Sequence, residues 1–187
     1  MMTDIDKETI KAFCNHCDWA YQCWQLRKHL YDENPQEKFL KHPHHVYFFI
    51  RLEKILQEYW LQEVAKLHDP ATQYGNDNLS VEFILKNGKW PPDVKDKLDR
   101  IKGRLDKFAS NLKDARNKIL AHKDKTTILT GVDLGGFQEG EDVAYFEALN
   151  EFASEVYNHV IGGPYPFDDL TKNDIDVFMA TFAKGLA

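Results

Sequence analysis

The chain has 187 residues, enough for one domain with a substantial core, and its 43% apolar content with 12 Phe, 8 Tyr and 4 Trp excludes a disordered segment. A net charge of -6 excludes a globally basic surface that coats nucleic acid and leaves room only for a local basic pocket. No stretch approaches the ~20 uncharged apolar residues of a membrane helix, since VYFFI is broken by Arg51 and Glu53, and MMTDIDKETIK lacks the pattern of a secretory signal. A soluble, cytoplasmic, single-domain protein over residues 1–187 is the expectation.

In chain order, Ile10, Phe13, Cys14, Cys17, Tyr21, Trp24 and Tyr31 recur at helical steps and predict a first helix that ends near Asn34-Pro35, where proline disfavours a helical conformation for the residue before it. A second helix runs through HVYFFIRLEKILQEYWLQEVAKLHDP, with Phe49, Leu52, Ile55, Leu56, Tyr59, Trp60 and Leu67 on its buried side and Asp69-Pro70 as the stop. ATQYGNDN reads as turn, and NLSVEFILKNG as a short helix capped by Asn78 or Ser80 and ended by Gly88.

The fourth helix opens at Pro91 or Pro92 and carries Val94, Leu98, Ile101, Leu105, Phe108, Leu112, Ala115 and Ile119 at alternating steps of four and three, a heptad pattern weakened only by Gly103. Extended to about residue 122, such a helix would be on the order of 45 Å long. Residues 123–142 then form a glycine-punctuated loop, a length that in a compact domain often serves a site. Helix resumes with Phe146, Leu149, Phe152, Ala153, Val156 and Val160, and a last helix over 171–187 carries Ile175, Phe178, Met179 and Phe182. Strand alternation of useful length is missing, so the fold class is all-α, a bundle of up-down antiparallel long helices.

The chemistry starts with what the pattern does not support. Cys14, Cys17, Cys23 and the histidines His42, His44 and His45 invite a zinc reading, but a second cysteine pair is missing and both CysAsnHisCys cysteines fit the apolar face of their own helix. GVDLGGFQEG lacks the spacing and context of a phosphate-cradling loop, and Asp168-Asp169 fits a turn or cap. Metal and cofactor are expected to be absent. That leaves the end of the fourth helix, DARNKILAHKDK, where on an ideal wheel Arg116 lies about 40° to one side of the apolar stripe and His122 about 80° to the other. Pairing of Arg116 with a carboxylate and capping of the helix end by His122 would account for two such residues structurally. Chemically the pair also suits RNA cleavage without metal: an imidazole can move a proton at the ribose 2′-OH or the leaving 5′-oxygen near neutral pH, and a guanidinium can hold the phosphate in bidentate fashion. One imidazole does not easily serve both sides of an in-line displacement, and a second copy of the chain would supply another.

Arg116-Asn117, four further residues and His122 resemble the signature of the HEPN superfamily, and the wider run ARNKILAHKD, LGGF and YFEALNEF is similar to its abortive-infection, AbiU-like branch. The resemblance covers about residues 40–160 and implies a HEPN-like four-helix-bundle core with the helix over 171–187 as an addition. It implies a homodimer with two arginine-histidine motifs meeting at the interface, acting as a metal-independent RNA endonuclease in phage defence, abortive infection or a toxin-antitoxin setting. By that resemblance Arg116 stabilises the phosphate, His122 is general acid or base, and Asn117 is a supporting polar residue. Lys118, Lys123 and Lys125 would add positive charge for RNA, or form a solvated face. Asp124 stands where some relatives carry a modifiable tyrosine, which argues against that mode of control. Two other readings remain at this stage: a non-catalytic HEPN-like module that binds RNA, a nucleotide or a protein partner such as an antitoxin, and a metal-binding helical bundle.

Overall fold

A computed structural model describes residues 5–115, 137–167 and 170–185. Among them are six α-helices: α1 (Lys7–Arg27), α2 (Val46–Leu67), α3 (Val81–Asn87), α4 (Pro92–Ala115), α5 (Glu141–Val160) and α6 (Thr171–Gly185). The fold is all-α, as the periodicities predict, with one addition. Thr72–Gln73 (β1) and Asn76–Asp77 (β2) pair as a minimal antiparallel hairpin. Its turn residues Tyr74 and Gly75 both have positive φ, 51° and 81°, as the tight hairpin turns that match strand twist require. Two paired residues per strand are too few to show alternation in a sequence.

The chain divides into two compact units, Met1–Cys17 with Leu61–Pro166, and Asp18–Trp60 with Phe167–Ala187. In the first, α4 and α5 form the central pair. Leu98, Ile101, Leu105, Phe108 and Leu112 are all buried, five members of the predicted heptad stripe, and α5 turns Tyr145, Phe146, Ala148, Leu149, Phe152, Ala153 and Val156 inward. Ion pairs fix the direction of the two helices: Lys97 meets Glu155 at 2.5 Å, Arg104 meets Glu151 at 2.6 Å and Lys107 meets Glu141 at 3.8 Å, so one helix ascends as the other descends. The N-terminal part of α1 joins this core through Ile10, Phe13 and Cys14, with the Phe13 and Phe152 rings edge to face at 5.8 Å.

The short helix α3 is set by its ends. Ser80, not Asn78, is the N-cap, its Oγ accepting the Phe83 N–H at 3.3 Å, and the Asn78 amide donates to Pro70 O at 2.8 Å. Gly88 closes the helix, and a side chain there would meet the Trp90 indole at 2.3 Å. That close approach accounts for glycine at the position.

The cysteines are core residues. Cys14 and Cys17 are fully buried and Cys23 nearly so. Cys14 S–H donates to Ala153 O at 3.6 Å, and burial pushes its thiol up to about 12, so it stays protonated and poorly nucleophilic. One buried carboxylate, Glu63, is satisfied within the same unit by His16 Nε2 at 3.2 Å and Lys66 Nζ at 2.6 Å.

In the second unit Leu30, Leu40, Phe49, Ile175 and Met179 form a core, with Leu26, Tyr31, Phe39, Leu52 and Phe182 packed against it. The last turn of α1 widens into a π-helical turn, Lys28–Asp32, and Asn34 ends it by donating to Leu30 O and accepting the Gln36 N–H. Ile55 and Tyr59, predicted on the inner face of α2, are instead exposed, and so is Phe178 on α6. Ile55 is 61% exposed, Tyr59 40% and Phe178 45%. On a helical wheel Ile55 lies about 120° and Tyr59 about 80° from the axis through Phe49, Leu56 and Trp60, beyond the reach of the inner face. Tyr59 instead accepts the Trp19 indole N–H at 3.2 Å on the surface, and Phe178 stacks on Phe182. The histidines also find structural partners: His45 Nε2 lies 2.7 Å from Phe39 O, its ring packs against Phe49 and Phe182, and His42 stacks on it.

Gly103 is exposed within α4 with no atom within 4 Å of the position a Cβ would take. Gly103→Ala should therefore raise unfolding stability by about 0.5–1 kcal/mol, read as a higher urea midpoint at unchanged slope, whereas a lower midpoint would mean that α4 is not a regular helix there.

Candidate functional site

The six residues singled out from the sequence, Arg116, Asn117, Lys118, His122, Lys123 and Lys125, lie outside the described residues, as do Asp168 and Asp169. What is described is the helix that leads to them. α4 ends at Ala115, one residue before Arg116, and its apolar stripe is buried through Leu112.

Beside that C-terminal half of α4 the first unit holds a cavity of about 480 Å³, within the ~300–1,000 Å³ typical of small-ligand sites. Its described lining combines apolar Val64, Ala65, Pro70, Ala109 and Leu112 with polar His68, Asp69, Gln73, Asp106 and Ser110. α2 ends at Leu67, so His68 and Asp69 sit at its C-terminal turn, where their backbone N–H groups close onto Ala65 O and Lys66 O. Asp106 and Ser110 occupy the polar flank of α4, next to the buried Leu105 and Phe108.

At the centre of the polar lining His68 is held at both ring nitrogens. Nδ1 faces Asp106 Oδ1 at 3.6 Å and Nε2 lies 3.1 Å from the Tyr145 hydroxyl. Burial raises the Tyr145 phenol well above its ordinary value, so it keeps its proton and can donate to Nε2. His68 beside it is the largest cause holding the Asp106 carboxyl below the usual carboxylate range; partial burial opposes this, and Lys102, bonded to Oδ2, reinforces it. Asp106 is thus an ionised carboxylate in the lining of the cavity.

Nothing in the sequence brings these groups together. His68 and Tyr145 are 77 residues apart, Asp106 reads as an ordinary surface residue of an amphipathic helix, and only the packing of α2, α4 and α5 places them side by side. Among the described residues no group of three or more His, Cys, Asp or Glu side chains is placed to hold a metal ion. No helix among them is long and apolar enough to cross a membrane.

A family model, HEPN_AbiU2, with the description AbiU2, matches residues 2–181. The chain belongs to the AbiU2 family. The match takes in both compact units and the ArgAsnLysIleLeuAlaHis segment that carries the resemblance in the sequence. No curated protein matches this AbiU2-family chain, and no solved structure does.

The lowered Asp106 carboxyl has a sign that can be checked. A folded value below the unfolded one, about 3.9, contributes stability that is fully present above that pH and is lost as pH falls through the folded value. Asp106→Asn should lower Tm at neutral pH and show a shallower loss of Tm between about pH 4 and pH 2 than the parent protein; parallel Tm-against-pH curves would contradict the His68–Asp106 pairing.

Proposed function

We propose that the chain is a metal-independent RNA endonuclease of the HEPN type, with Arg116 and His122 as its catalytic pair. The single observation behind this reading is the family match across residues 2–181, which includes an arginine and a histidine separated by five residues directly after α4. The buried α4 stripe supports it, because a helix fixed by packing on α5 is a rigid base for the segment that follows.

In this mechanism the ribose 2′-oxygen attacks the adjacent phosphorus while an imidazole takes the 2′-OH proton. The bond to the 5′-oxygen breaks, and a second imidazole gives that oxygen a proton. His122 fills one role and the His122 of a second copy fills the other, which makes the active form a homodimer. Arg116 holds the non-bridging phosphate oxygens and stabilises the charge they gain in the transition state. Asn117 supports the pair, and Lys118, Lys123 and Lys125 attract RNA locally against the net charge of -6. Abortive infection, with a partner antitoxin restraining the nuclease, is the biological setting this family suggests.

Purified protein should cut unstructured RNA in EDTA. His122→Ala and Arg116→Ala should each lower the rate by about 10²-fold or more while melting at the parent temperature, and light scattering at micromolar concentration should read two chains per particle. Folded variants that cut as fast as the parent would remove the assignment, and RNA binding without cleavage by the parent would favour a non-catalytic HEPN-like module.

A further inference from the structure

We infer that the cavity beside α4 is a base-recognition site for guanine, with the Asp106 carboxylate accepting the two hydrogens of the guanine N1–H and N2–H edge. The base belongs to the RNA substrate, so this inference rests on the ribonuclease reading for its source, although base binding is measurable without cleavage.

Size and lining come first. About 480 Å³ is room for a nucleoside, not only for solvent. Val64, Ala65, Pro70 and Ala109 give the space apolar lining against which a planar ring can be buried. Two carboxylates, Asp69 and Asp106, border the same space, which disfavours a phosphate there and favours a neutral ligand that presents hydrogen-bond donors.

The orientation of Asp106 narrows the choice of base. His68 stands against Oδ1, and the Lys102 ammonium donates to Oδ2. Lys102 occupies one lone pair of Oδ2, and His68 at 3.6 Å lies beyond hydrogen-bond distance of Oδ1, so both oxygens keep acceptor capacity. The Asp106 side chain is 46% exposed and lines the cavity, whereas His68 is only 12% exposed and lies between Tyr145 and Asp106. His68 is therefore a positioning residue that fixes the carboxylate and does not itself meet the base. A carboxylate with both oxygens available matches a pair of parallel N–H donors, the geometry that makes guanidinium–carboxylate pairs specific. Among the four RNA bases only guanine carries two adjacent donors on its Watson–Crick edge. Adenine and cytosine set a donor beside an acceptor, and uracil offers one donor between two acceptors, which would face carboxylate oxygens with lone pairs against lone pairs.

The cavity is tied to the proposed chemistry by the chain itself. Asp106, Ala109, Ser110 and Leu112 lie on α4, and Leu112 stands four residues before Arg116 in sequence.

Isothermal titration calorimetry with 5′-GMP, 5′-AMP, 5′-CMP and 5′-UMP tests the site directly. GMP should bind at least tenfold more tightly than the other three, and Asp106→Asn should lower GMP affinity at least tenfold. Ala109→Phe, which fills the cavity and leaves the His68–Asp106–Tyr145 group intact, should do the same while retaining the helical circular dichroism of the parent. A parallel arm uses RNA oligonucleotides with a single guanine, in EDTA, and should show cleavage confined to the linkages flanking that guanine. No preference for GMP over AMP in the parent protein overturns the base site, even where RNA is cut. Selective GMP binding with no RNA cut supports the base site for a free guanine nucleotide and sinks the ribonuclease reading instead.

Discussion

The antiparallel packing of α4 on α5 is the constraint on which the first unit depends. Leu98, Ile101, Leu105, Phe108 and Leu112 present one continuous apolar seam, and the Phe108 ring lies 4.8 Å from that of Tyr145 on α5. Burial of such side chains contributes roughly 1.5–3 kcal/mol each, far more than the flanking ion pairs, most of them exposed. The ion pairs Lys97–Glu155 and Arg104–Glu151 lie along the flank of this antiparallel pair. Any loss in the seam, such as truncation of Leu105, would disturb the flank that carries Asp106 as well as the helix end that precedes Arg116.

The same packing creates the polar group that no local pattern announces. Tyr145 is on the buried face of α5 because its ring completes the seam beside Phe108, and its hydroxyl then needs a partner. His68, just beyond the end of α2, supplies one, and the remaining ring nitrogen of His68 turns to Asp106. A core residue thus orients a histidine, the histidine orients a carboxylate, and the carboxylate reaches the cavity. Structural demand and ligand-facing chemistry are linked through one side chain.

Much of the helical order could be read from the sequence because burial imposes a period. The α4 stripe, the α5 face, the proline start of α4 and the ending of α3 at Gly88 all follow from spacing or backbone chemistry. Legibility failed where the period was ambiguous or the cause was tertiary. Ile55 and Tyr59 extend an apolar pattern past the true inner face of α2. Glu63 counts as a polar position in any periodicity, yet it is buried because His16 and Lys66 satisfy it. For the site, the arginine-histidine spacing is visible in sequence while its geometry lies outside the described residues. The His68–Asp106–Tyr145 group is the reverse: clear in three dimensions and silent in one.

Membership of the AbiU2 family shows the family alone, and cleavage by Arg116 and His122 is the proposal that it supports. Attack by the neighbouring 2′-oxygen must leave a cyclic phosphate on one fragment and a 5′-hydroxyl on the other. The most direct measurement is mass spectrometry of the fragments formed from a defined RNA in EDTA. The expected products carry 2′,3′-cyclic phosphate and 5′-hydroxyl ends, and the same oligonucleotide bearing a 2′-deoxyribose at the scissile position should not be cut. Fragments ending in 3′-hydroxyl and 5′-phosphate, or cutting that survives loss of the 2′-OH, would contradict the proposal.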